Sequence, residues 1–178
     1  SAYDWRGYTE ETGLDNYLRL NTTDAQTGSS GVWGSPTSTV FQLGPHAFSQ
    51  YNENGDDYIA YCFHSVDGYS KVGSYTGNGN ADGTFVYTGF RPAWVMIKNA
   101  TVAGSWEVYD ATRDDDNVVF EVLQPNASDA EVTVGGGRLD FTSNGFKLRN
   151  TGGSVNGSGN TLIFLAFSEQ PFKYSNAR

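Results

Sequence analysis

Apolar side chains in this chain fall in short runs, alternating or all-apolar, bounded by Gly, Asn, Asp and Ser. That pattern is typical of β-strands joined by tight turns. Over Tyr58–Ser65, Ile59, Tyr61 and Phe63 share one face, and Tyr58, Ala60, Cys62 and His64 the other, which predicts a strand. Thr161–Ser168 is apolar on both faces and predicts a central strand covered from both sides. Thr84–Tyr87, Ala93–Lys98 and Ser105–Tyr109 read as successive strands. Arg91-Pro92 marks the entry to the second of them, since proline cannot donate within a ladder. Leu139–Thr142 and Phe146–Arg149 flank Ser143-Asn144-Gly145, where Asn-Gly signals a hairpin. Val118–Leu123 reads as a strand or one short helical turn, and Asp4–Leu20 and Arg113–Asp116 as polar connections with at most a helical turn. The expected fold is all-β, an antiparallel β-sandwich of the jelly-roll kind.

The chain also repeats itself. Asn21-Thr-Thr-Asp-Ala25 returns as Asn126-Ala-Ser-Asp-Ala130, and Thr39–Gly44 as Asn144–Arg149, both at an offset of 105 residues. Tyr58–Ser65 returns as Leu162–Glu169 at an offset of 104, and Tyr3-Asp4 matches Tyr109-Asp110 with one residue of slip. Two related units of about 105 residues are therefore expected: 1–73, incomplete at its N-terminal side, and 74–178, complete. The portion absent from the first corresponds to Ser74–Ser105, which includes the run Ala93–Lys98. A sandwich short of two strands exposes edges. Either upstream residues supply those strands or a neighbouring chain does.

Composition narrows the function classes. The 178 residues carry 20 acidic and 11 basic side chains, a formal net charge of −9, with no Lys/Arg cluster to meet phosphates, so nucleic-acid binding is not expected. No apolar run approaches the roughly 20 residues of a membrane-spanning helix. A single cysteine, Cys62, precludes an intrachain disulfide framework and a multi-cysteine zinc site. Four Asn-x-Ser/Thr sequons, at Asn21, Asn99, Asn126 and Asn156, are in keeping with a chain rich in those residues.

Several stretches carry a resemblance. Tyr58–Gly79, Thr88–Lys98, Asp140–Arg149 and the terminal Pro171-Phe-Lys-Tyr-Ser-Asn-Ala-Arg178 resemble a C-terminal module of predicted tail or fibre-like structural proteins of marine tailed bacteriophages. The likeness covers most of the chain from about Thr39 onward. It implies a virion component found on the extracellular particle, with copies of itself and other virion proteins as partners. It brings no catalytic motif.

Candidate chemistry is sparse. Asp114-Asp115-Asp116 and Asp56-Asp57 are the densest acidic groups, but neighbours on a strand point to opposite faces, and a solvated turn is the plainer reading. Asp114, Asp115 and Asp116 are the calcium candidates, through short-spaced oxygen ligands, though they match no EF-hand loop. No other cofactor is expected. No Gly-x-Ser-x-Gly elbow is present and histidines number two, His46 and His64. His64 shares a strand face with Cys62, and packing is the preferred reading for both. Trp94 and Trp106, on expected strands, read as core.

The remaining lead is aromatic. Trp33 lies among small polar residues expected to leave its ring exposed, and Trp5 and Tyr8 lie near Asp4 and Arg6. Exposed aromatics beside planar polar groups suit sugar rings and protein interfaces alike. Trp33, Trp5, Tyr8 and Arg6 are thus the contact candidates. The expected function is non-enzymatic: a virion structural protein acting by self-assembly and host-surface attachment. The alternative is a stand-alone carbohydrate-binding, lectin-like module.

Overall fold

The computed structural model describes residues 3–44 and 51–171, so His46 and the end of the chain past Pro171 lie outside the described residues. In chain order the strands are β1 (Arg6–Gly7), β2 (Asn16–Arg19), β3 (Thr27–Gly28), β4 (Ser70–Thr76), β5 (Phe85–Tyr87) and β6 (Pro92–Asn99). They continue with β7 (Glu107–Asp110), β8 (Glu121–Val122), β9 (Val132–Thr133), β10 (Leu139–Thr142), β11 (Gly145–Leu148) and β12 (Thr161–Ser168). One four-residue helix, α1 (Gly153–Asn156), and a 3-10 turn at Glu10–Thr12 are the helical elements among the described residues. None is long and apolar enough to cross a membrane. The fold is all-β and its sheets are antiparallel.

The two longest strands organise the molecule. β6 and β12, apolar on both faces, lie side by side in a four-stranded sheet of order β4-β12-β6-β7. β12 pairs with β4 from Thr161↔Thr76 to Phe167↔Ser70, and with β6 from Leu162↔Asn99 to Ser168↔Pro92. Pro92 opens β6, where its missing N–H costs least. A second sheet, β10-β11-β5, contributes Val86, Leu139, Phe141, Phe146 and Leu148 to the main core. They meet Val95, Ile97, Leu162, Phe164 and Ala166 of the first sheet. β10 and β11 are closed by Ser143-Asn144, with Thr142 opposite Gly145. Gly145 is thus the first strand residue rather than part of the turn, and a side chain there would run into the Val86 carbonyl of β5.

A smaller sheet, β1-β2-β3, forms from residues that read as a polar connection. Tyr17 and Leu18 on β2 are buried, and Leu18 packs with Trp106 and Ile163 in a second cluster on the far side of the four-stranded sheet. Two apolar residues between Asn16 and Arg19 are too few to show a period, which is why the pattern misses this strand. The Trp106 indole donates to the Arg19 carbonyl at 2.8 Å. Lys98 is wholly buried, its ammonium donating to the carbonyls of Thr23 (3.1 Å) and Gly104 (2.6 Å). Burial lowers its pKa to about 8. Farther along, β8 pairs with β9 through Glu121↔Thr133 and Val122↔Val132, as β2 does with β3 through Asn16↔Gly28 and Tyr17↔Thr27, a constant offset of 105 residues.

Three expectations change. Tyr58–Ser65 belongs to no sheet among the described residues, although the similar stretch Leu162–Glu169 lies largely in the central strand β12. The alternation is present, but no neighbouring ladder holds it, so both of its faces meet solvent. Ile59, Tyr61 and Phe63 are 73%, 70% and 56% exposed. Cys62 is an exposed free thiol rather than a buried apolar group. Trp94 is half-buried, its ring tilted against that of Phe167 with centroids 5.6 Å apart, whereas Trp106 is buried as expected.

Candidate functional site

The aromatic candidates converge around β1. Arg6 points its guanidinium over the rings of Tyr17 at 4.4 Å and Tyr51 at 5.0 Å, within cation–π range. Trp33 stacks on Tyr51 at 6.2 Å and meets Tyr8 at 5.6 Å, so Arg6, Tyr8 and Trp33 share one cluster. Trp33 is half-buried rather than exposed, because its indole N–H donates to the Asn16 carbonyl on β2 at 2.8 Å. The Tyr8 hydroxyl is pushed up, first by burial and then by the carboxylates of Glu10 and Glu11.

Trp5 faces another way. It is 51% exposed and meets Tyr61 of the extended segment at 6.0 Å. Its main-chain N–H donates to Asn21 Oδ1 at 3.1 Å, and Asn21 donates in turn to Asp4 at 2.9 Å. Arg19 completes the polar rim with ion pairs to Asp4 (2.9 Å) and Asp24 (2.8 Å). A groove of about 290 Å³ is lined by Tyr8, Thr9, Glu10 and Glu11 from the stretch after β1 and by Phe63, His64, Ser65 and Val72. Sequence reasoning missed Tyr17, Tyr51, Tyr61 and Phe63, whose partnership with the candidates depends on chain folding rather than spacing.

Residues 1–171 match a family model described as a domain of unknown function (DUF7483). The chain belongs to the DUF7483 family. No curated protein and no solved structure matches it.

In this DUF7483 chain the triple aspartate does not converge. Asp114 is buried and turned inward, accepting main-chain N–H bonds from Phe120 (2.6 Å), Glu121 (2.8 Å) and Asp116 (3.2 Å). Asp115 and Asp116 are exposed. Among the described residues no group of three or more His, Cys, Asp or Glu side chains is placed to hold a metal ion. Asp114 therefore fastens the loop before β8, satisfying donors that burial would otherwise leave unpaired. What the site around β1 offers is contact surface: flat apolar rings, a planar cation and an open groove.

Proposed function

We propose that this chain is a non-enzymatic structural protein of a bacteriophage virion, a component of a tail, fibre or surface appendage that works by self-assembly and host-surface attachment. The virion part rests on the resemblance of Tyr58–Gly79, Thr88–Lys98 and Asp140–Arg149 to such proteins. The assembly part is carried by one observation: Trp5, Ile59, Tyr61 and Phe63 are all exposed in an acidic chain, with the Trp5 and Tyr61 rings in contact. Surfaces of that kind mark interaction sites.

The same proposal includes a face-to-face β-sandwich made of two related units. The shared 105-residue offset of the β2–β3 and β8–β9 registers supports it. So do two loop bonds: Trp33 N–H to the Leu14 carbonyl and Arg138 N–H to the Val119 carbonyl differ by that offset at both ends. The pairs Gly7↔Leu18 and Val108↔Leu123 align Trp5–Tyr8 with Trp106–Tyr109, in place of the Tyr3-Asp4 match. On this alignment the candidate residues Trp5, Arg6 and Tyr8 hold the positions of the buried Trp106, Glu107 and Tyr109.

Light scattering across a concentration series tests the assembly reading. A defined oligomer supports it, and a monomer at every concentration overturns it. A second reading, a lectin-like module, has the exposed Trp5 beside Asp4 and Asn21 in its favour, since an indole face next to planar polar groups suits a sugar ring. Sugar-dependent thermal stabilisation of a monomer would favour that reading instead.

A further inference from the structure

The C-terminal sheet contains a strand whose counterpart near β1 is an open groove. β6 lies between β12 and β7, antiparallel to both. On the two-unit alignment β1 stands for β7, and Ile59–Ser65 stands for Ile163–Phe167 and the residues that follow. The groove walls repeat this arrangement. Tyr8 and Thr9 occupy the positions of Tyr109 and Asp110, and Phe63 and His64 those of Phe167 and Ser168. In the C-terminal sheet those four residues flank the first half of β6, with Trp94 opposite Asp110 and Phe167, and Pro92 opposite Ser168. β1 is the outermost strand of its own sheet, and Ile59–Ser65 lies in no sheet among the described residues.

We infer that the groove between the residues that follow β1 and the Ile59–Ser65 segment accepts a β-strand, and that the strand is Ile59–Ser65 of a second copy of this chain. The inference rests on the assembly reading above and names its partner. Three features select a second copy. The segment already alternates as a strand and exposes both faces. It carries no Asp, Glu, Lys or Arg in a chain of net charge −9, so two copies can approach there without like-charge contact. The directions also agree. A strand in the β6 position runs antiparallel to β12, so the second copy's segment would run antiparallel to Ile59–Ser65 itself, as a two-fold axis requires. The resulting strand order is β1, the second copy's segment, the first copy's segment and the second copy's β1. Each copy fills the groove of the other, and main-chain hydrogen bonds supply affinity as in strand addition.

The test is native mass by light scattering, for the wild-type chain and for Ala60→Pro, with alkylation of Cys62 followed in parallel. The wild type is expected to be a dimer at micromolar concentration, with Cys62 alkylated at least tenfold more slowly than after dilution to monomer. Ala60→Pro removes a ladder donor in a segment outside the folded sheets, so it should be monomeric, with unchanged near-ultraviolet circular dichroism and the melting temperature of the wild type diluted to monomer. An oligomer that persists in Ala60→Pro, with Cys62 freely alkylated, overturns this inference and leaves the assembly reading standing. A monomeric wild type overturns both. If that monomer binds a synthetic Pro92–Asn99 peptide one to one, the groove takes a strand from another source and the second-copy inference is equally overturned.

Discussion

Trp5 and Trp106 share one main-chain contact. Each donates its main-chain N–H to an asparagine side chain, Trp5 to Asn21 at 3.1 Å and Trp106 to Asn126 at 2.7 Å, and each asparagine opens one of the repeated Asn-x-x-Asp-Ala motifs. Their surroundings differ. Trp106 is 7% exposed and packed with Leu18 and Ile163, whereas Trp5 is 51% exposed. Removing the acceptor should therefore cost unequal amounts. Asn126→Ala strands an N–H beside a buried ring and should lower stability by about 1–3 kcal/mol. Asn21→Ala leaves an N–H that water reaches and should cost less than about 1 kcal/mol. Urea unfolding of the two variants checks the difference.

The same contrast runs through the apolar positions. Phe41 and Phe146 are related by the 105-residue offset, yet Phe41 is 50% exposed and Phe146 wholly buried against Tyr75 and Phe164. Phe146→Ala should cost about 3–5 kcal/mol through lost transfer energy and the cavity left behind. Phe41→Ala should stay within about 0.5 kcal/mol, as surface changes do. Equal losses in denaturant melts would mean that Phe41 is covered in solution.

That contrast marks how far the sequence was legible. β12 and β6 could be read because apolar residues on both faces leave few alternatives to a central strand, and Arg91-Pro92 set the entry to β6. Tyr58–Ser65 carries a similar pattern and forms no ladder. Periodicity states which side chains can share a face, but a strand also needs a neighbour to bond with, and no local pattern encodes that neighbour. Tyr17 and Leu18 went unread for the opposite reason, two core residues in a polar stretch. At the site, the polar surroundings of Trp5, Arg6, Tyr8 and Trp33 singled them out. Their partners Tyr51 and Tyr61 are brought to them only by the folded chain.

Asp114 should matter for folding and its two neighbours should not. Its carboxylate holds three main-chain N–H groups before β8, while Asp115 and Asp116 face water. Asp114→Ala is expected to destabilise the chain by about 1.5–3 kcal/mol, the range for hydrogen bonds to a charged group. Asp115→Ala and Asp116→Ala should each remain within about 0.5 kcal/mol. If the loop instead serves as a calcium site, added calcium will raise the melting temperature, and all three variants will abolish that rise.

Lys98 gives the fold a pH dependence of definite sign. Burial lowers its pKa from 10.5 to about 8, because two carbonyl acceptors do not replace the water lost by the ammonium. Below about pH 8 the folded and unfolded chains both hold this proton, and Lys98 contributes no slope. Between about 8 and 10.5 the unfolded chain still binds the proton while the folded chain has released it, so stability rises with pH across that window. Tyr75 and Tyr109 act in the opposite sense at higher pH. Burial and then the Glu107 carboxylate raise their hydroxyl pKa values above 10.0, so unfolding is favoured once unfolded tyrosine begins to ionise. The Lys98 contribution is therefore isolated between about pH 8 and pH 9.5. Replacing the side chain with methionine, Lys98→Met, keeps the apolar stem and removes the titrating group. Subtracting the variant's unfolding free energy from that of the wild type at each pH should give a difference that climbs through this window, and a flat difference would mean that Lys98 keeps its hydration in the folded chain.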